Sequence, residues 1–144
     1  MRETQSLSHT KWDCKYHIVF IPKCRRKVIY GDLRQYLREL FHELASHKGC
    51  EILEGHLKRD QVHRCIRIPP KYAVSMVVGY LKGKSAIVIA RNFGGKRRNF
   101  SGENFWARGY DVSTVGLDEA VVRNYIRQPE AIDAHYEQMR LDGI

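Results

Sequence analysis

Apolar and polar positions alternate near the start of the chain, then recur at helical spacing, then alternate again. In residues 11–21, KWDCKYHIVFI, Trp12, Cys14, Tyr16, Ile18 and Phe20 alternate with Asp13, Lys15, His17 and Val19. That period predicts a strand, ended by Pro22. Gly31-Asp32 opens a helix with Asp32 as its N-cap. Leu33, Tyr36, Leu37, Leu40, Phe41 and Leu44 form its apolar stripe, and Gly49 stops it. Residues 50–58 and 62–68 predict two more strands, joined by Lys58-Arg59-Asp60-Gln61 and closed by Pro69-Pro70. A second helix covers 73–93, with Val74, Val77, Val78, Leu81, Ser85 and Val88 on one stripe. After a glycine-rich basic loop, residues 105–112, FWARGYDV, predict the last strand. A final helix starts near Asp118-Glu119, whose charges suit a helix N-terminus, and carries Val121, Val122, Tyr125 and Ile126. The order β-α-β-β-α-β-α predicts an α+β fold, a ferredoxin-like antiparallel sheet backed by helices with one added C-terminal helix. Residues 1–144 read as a single domain without repeats or linkers.

Composition narrows the partners. Apolar residues make up 43% of the chain, enough for a core. No apolar run approaches the ~20 residues that cross a bilayer. With the polar start Met-Arg-Glu-Thr-Gln-Ser, this predicts a soluble cytoplasmic protein without a membrane partner. Lys and Arg number 25 against 16 acids, a formal charge of +9, which raises the odds of a polyanionic partner. Cys14, Cys24, Cys50 and Cys65 contain no Cys-x-x-Cys pair, so a structural zinc site is not expected and the thiols read as reduced and mostly buried.

Residues 60–70, DQVHRCIRIPP, carry the most chemistry. Strand alternation puts Gln61, His63, Cys65 and Arg67 on one face and Val62, Arg64, Ile66 and Ile68 on the other. Gln61 and His63, one residue apart, are close enough to share a metal ion. On local grounds alone, a surface histidine beside a loop glutamine is the simpler reading.

The blocks HIVFIPKCRRKVIY, GHLKRDQVH, IPPKYAVSMVVGYLKGKSAI, NFWARGYDVSTVG and VRNYIR occur in this order. Together they resemble the small insertion-sequence transposases that use one tyrosine and a His-hydrophobe-His metal motif, the HUH-type TnpA-like family. The resemblance runs from Ser8 to Met139. It implies a homodimer on a ferredoxin-like fold that binds imperfect hairpins at the ends of a mobile element as single-stranded DNA. It implies that a helix-borne tyrosine attacks the phosphodiester and forms a 5′-phosphotyrosine link, commonly at the metal site of the other subunit. A divalent ion, Mg²⁺ or Mn²⁺, is implied on the two histidines and a glutamine of the tyrosine helix. By position, Tyr125 matches the nucleophile and His63 the second histidine. A phosphotyrosine link retains the phosphodiester's energy for religation. A phenol with pKa near ~10 is a weak nucleophile at neutral pH, so an ion that polarises the phosphate lowers the barrier.

Three positions depart from the family pattern. Gln61 stands where the first histidine belongs, and its carboxamide oxygen suits Mg²⁺ or Mn²⁺ but not softer metals. Pro129 stands where the glutamine ligand belongs, four residues past Tyr125, and offers no donor. Gln128, near the same helix face, is the candidate replacement. Arg64 fills the hydrophobe position, where a guanidinium must snorkel out or find an acid. These departures predict reduced metal affinity and cleavage, with fold and DNA binding retained. Candidate phosphate contacts are Lys23, Arg25, Arg26 and Lys27, then Lys96, Arg97 and Arg98, with Lys82, Lys84 and Arg91 extending the surface. Tyr72, Phe93 and Phe100 could stack on bases or pack in the core. Engagement of about six phosphates would give a log–log salt slope near −4 on single strands. Two readings stay open: an active transposase, or a relative that binds DNA or RNA hairpins as a regulator without cutting.

Overall fold

The computed structural model describes residues 5–7, 10–93 and 105–115, with side chains from residue 12 onward. Gln5–Leu7 (β1) and Thr10–Trp12 (β2) form a small antiparallel hairpin. Lys15–Phe20 (β3), Glu51–Lys58 (β4), Gln61–Arg67 (β5) and Asp111–Thr114 (β6) form the main sheet, in the order β4-β5-β3-β6. Every neighbouring pair is antiparallel. Two helices, Gly31–His47 (α1) and Val74–Phe93 (α2), connect these strands. This is the ferredoxin-like β-α-β-β-α-β order expected from the periodicity. The proposed C-terminal helix with Tyr125 and Gln128, and the loop with Lys96, Arg97, Arg98 and Phe100, lie outside the described residues.

Helix α1 buries Leu33, Leu37, Leu40, Phe41 and Leu44. Helix α2 buries Val77, Val78, Leu81, Ser85, Ala86 and Ile89. Both stripes meet Ile18, Phe20, Val62 and Ile66 on one face of the sheet. Phe20 packs edge-on against Phe41 and Trp106 at centroid distances of 5.8 and 4.9 Å. Gly49, at φ +66°, ends α1 in a Schellman arrangement: its N–H donates to the Ser46 carbonyl, and Cys50 N–H reaches back to Ala45.

Several details differ from the periodicity. The first predicted strand is two strands, broken at Asp13-Cys14. Asp32 lies inside the first turn of α1 instead of capping it; Tyr30 is the N-cap and makes no side-chain cap bond. The last strand is Asp111–Thr114, not 105–112. Phe105 and Trp106 are too large and apolar for an exposed edge, so they fill the core, with a single bridge from Trp106 to Pro22. Gly109, at φ +79°, then turns the chain into β6. The four cysteines are unbridged, and only Cys50 and Cys65 are buried; Cys24 is exposed. Among the described residues no helix is long and apolar enough to cross a membrane.

Candidate functional site

Strand β5 is the second strand of the sheet, paired on both sides, and all seven of its residues are buried. Alternation along it and register with β3 define two chemically different faces. Phe20 faces Val62, Ile18 faces Arg64 and Tyr16 faces Ile66 on the helix side. On the opposite face Val19 pairs with His63, His17 with Cys65 and Lys15 with Arg67. The predicted grouping of Gln61, His63, Cys65 and Arg67 on one face is therefore present.

His63 is fully buried, which removes the reading of a surface histidine. Its Nε2 lies 2.6 Å from Gln61 Oε1. A carboxamide oxygen only accepts, so Nε2 carries the proton in this pairing. The His17 ring stacks on His63 with centroids 5.8 Å apart and planes inclined by 21°. On the next strand His56 is the register partner of His63. His17 and His56 are the site neighbours that the sequence reading missed. Alternation places His17 away from the apolar stripe, but only strand register shows what lies beside it.

The donor set has one carboxamide oxygen and one imidazole nitrogen converging on the same space. Once their mutual hydrogen bond is given up and the His63 proton sits on Nδ1, that pair could hold a hard divalent ion that completes its shell with water and phosphate oxygens. Among the described residues no three His, Cys, Asp or Glu side chains converge on one point. The third proposed donor, Gln128, lies outside those residues, as does Tyr125.

At the far end of the same face, charges are compensated. Lys15 Nζ lies 2.9 Å from Asp13 Oδ1, and Arg67 Nη1 lies 2.7 Å from Glu51 Oε2. Arg67 Nε is 3.7 Å from Asp13. Arg64, on the helix side, behaves differently. It does not snorkel out, and among the described residues it pairs with no acid. It is 3% exposed, stacks its guanidinium 5.2 Å from the centre of the Phe41 ring, and donates from Nη1 to the His63 carbonyl at 3.0 Å. Burial first, and then Arg38, lowers its pKa to about 10.

The predicted DNA-binding residues divide. Lys23, Arg25, Arg26 and Lys27 are exposed on and after a short 3₁₀ turn that follows Pro22. Arg25 pairs with Asp60 at 2.9 Å, which offsets part of that cluster's charge. Lys84 and Arg91 are exposed on α2. Lys82 differs from the expectation: its ammonium donates to the carbonyls of Ala107 and Gly109, each at 2.7 Å, and clasps the 105–110 segment to α2. Burial lowers its pKa. Trp106 Nε1 adds a second tie by donating to Ser85 Oγ at 2.9 Å. Phe93 packs on Tyr36 at 5.7 Å, while half-buried Tyr72 carries Lys71 and Lys48 near its ring at 5.1 and 5.8 Å.

Comparison with known proteins gives consistent matches. A family model described as "Transposase IS200 like" matches residues 10–129. The transposase for insertion sequence element IS200 of Salmonella typhimurium is 40% identical over 141 residues, covering 98% of this chain and 93% of the relative. A crystal structure assigned as a transposase from Deinococcus radiodurans superposes with a TM-score of 0.69 at 25% identity, covering 86% of this chain and 95% of that one. A REP-associated tyrosine transposase, solved bound to a REP hairpin, shares the fold with a TM-score of 0.56 at 17% identity, covering 88% of this chain and 70% of that one.

Proposed function

The chain belongs to the IS200-like transposase family, and from that premise we propose that it binds hairpin ends of a mobile element as single-stranded DNA and cleaves and rejoins them through a 5′-phosphotyrosine on Tyr125. The observation that carries this reading is the convergence of His63 Nε2 and Gln61 Oε1 on the buried face of β5. Support for hairpin binding comes from the exposed basic turn at 23–27 and from a fold shared with a protein that holds a REP hairpin.

In this mechanism the Tyr125 oxygen attacks the phosphorus, the bond to the leaving 3′ oxygen breaks, and that oxygen takes up a proton as a 3′ hydroxyl. Rejoining reverses the displacement, so no nucleotide triphosphate is consumed. His63 and Gln61, with Gln128 as the third donor, would hold Mg²⁺ or Mn²⁺, whose chemistry is to polarise the phosphate. Gln61 and His63 must first give up their mutual hydrogen bond, and His63 must hold its proton on Nδ1. That exchange, together with a carboxamide in place of an imidazole, makes the centre weak and cleavage slow. The protein acts as a homodimer in this reading.

The Gln61–His63 hydrogen bond also favours a second reading: a relative that grips hairpins without cutting them. One assay separates the two. The protein is incubated with a single-stranded hairpin oligonucleotide from the flanks of its own gene, with Mg²⁺ or Mn²⁺, and resolved on a denaturing gel. A covalent adduct that disappears in Tyr125→Phe establishes the transposase. Retarded DNA on a native gel, with no adduct in either metal, leaves the binding-only relative. Absence of both would sink both readings.

A further inference from the structure

A cavity of about 270 Å³ lies between α1 and the β4–β5 edge of the sheet, on the helix side of β5. Arg34, Arg38, His42 and Arg64 supply its charged and titratable lining on the helix side, and the β4 segment around Gly55 bounds it. Three guanidinium groups thus share one cavity. Among the described residues none of the three makes an ion pair. Arg64 Nε and Nη2 and Arg34 Nε are buried and make no hydrogen bond among the described residues. Such groups cost stability unless something satisfies them. The fold makes room for this arrangement at Gly55, since a Cβ there would come within 2.9 Å of Arg64 Cδ and Cζ.

We propose that this cavity is an oxyanion site, built to take a phosphoryl group on the N–H donors of Arg64 and Arg34, with Arg38 at its rim. A planar guanidinium presents paired donors that match phosphate oxygens, and two of the donors Arg64 needs to satisfy are the ones left over. The Arg64 guanidinium lies over the Phe41 ring, a cation–π contact that helps to place it before any ligand arrives. Burial, and after it the nearby charge of Arg38, weigh against the Arg64 guanidinium, and an entering anion offsets both. The site lies on the opposite face of β5 from Gln61 and His63, so it does not depend on the cleavage reading. Its phosphoryl group belongs either to a DNA backbone or to a free phosphate.

The test is a thermal-shift titration of the full chain with inorganic phosphate against chloride at matched ionic strength. Parent, Arg64→Met and the double variant Arg34→Gln/Arg38→Gln are compared. Phosphate at roughly ten times its Kd should raise the parent's Tm by about 3 °C or more. Both variants should lose most of that rise, keeping only the part due to general exclusion of phosphate from protein surfaces. Equal rises in all three proteins would overturn the site. The rim variant carries the test if Arg64→Met fails to fold. Hairpin binding at fixed salt then identifies the source. If the rim variant weakens hairpin binding at least tenfold and phosphate competes with the hairpin in the parent, the group is a backbone phosphate. Unchanged hairpin binding with a lost phosphate shift assigns a free oxyanion.

Discussion

Arg64 and Arg67 sit on the same strand, equally buried, and face opposite ways. Arg67 lies among carboxylates: Glu51 at 2.7 Å and Asp13 at 3.7 Å, with Lys15 sharing Asp13. Arg64 faces the helices, with an aromatic ring, a carbonyl and other cations for company. The difference shows that burial of a charge does not reveal its role. One arginine completes a structural network. The other is held in place against an energetic cost, and that cost points to a ligand.

The contrast is sharpest if each arginine is removed. Arg67→Met takes one cation away from Asp13, and breaking such a network typically costs about 3 kcal/mol. Urea unfolding should show that loss, and a change under about 0.5 kcal/mol would mean the network is only a surface pairing in effect. Arg64→Met should act in the other direction. Replacing an uncompensated buried charge by a flexible apolar chain of similar length is expected to gain about 1 kcal/mol or more in phosphate-free buffer. A net loss would show that stacking on Phe41 outweighs the desolvation it accompanies.

A double-mutant cycle sharpens the same point. Gly55→Ala pushes a methyl group into the Arg64 side chain and should cost about 1 to 3 kcal/mol. In the Arg64→Met background the cost should shrink, giving a coupling near 1 kcal/mol. Additive changes would mean the two positions do not share space. The smallest effect concerns His42. Burial, and then Arg64, holds its pKa below 6.5. The unfolded chain therefore takes up this proton more readily than the folded one. His42's contribution to stability is present above about pH 6.5 and falls as the pH drops below it. Arg64→Met should raise the His42 pKa slightly, which an NMR titration of its ring would detect.

Much of this was legible from residue order. The ferredoxin-like order, both helix stripes and the two faces of β5 follow from alternation and spacing, because those signals are local. Strand register is not local, so nothing in the sequence brought His17 onto His63 or His56 opposite it. The fate of Arg64 also depended on three dimensions: whether it snorkels turns on the presence of Gly55 across the ladder. FWARGYDV read as a strand because its aromatics mimic one, yet burial of Phe105 and Trp106 and the turn at Gly109 move the pairing to 111–114. Lys82 resembled one more surface cation until its two carbonyl partners were visible. The role of Tyr125 rests on position within the family pattern, and that of Gln128 on its spacing of three residues from Tyr125.

The sheet order also has a consequence for how the chain comes off the ribosome. Strands β4 and β5 are joined by two residues and pair at once, and β3 has already been made when they do. Strand β6 pairs with β3 across most of the length of the chain, Tyr16 against Thr114. Synthesis at about 5 to 20 residues per second leaves seconds between them, during which one edge of β3 is open. The half-finished molecule thus exposes a strand edge that the finished one covers, and chaperones or a second nascent copy would meet it there first.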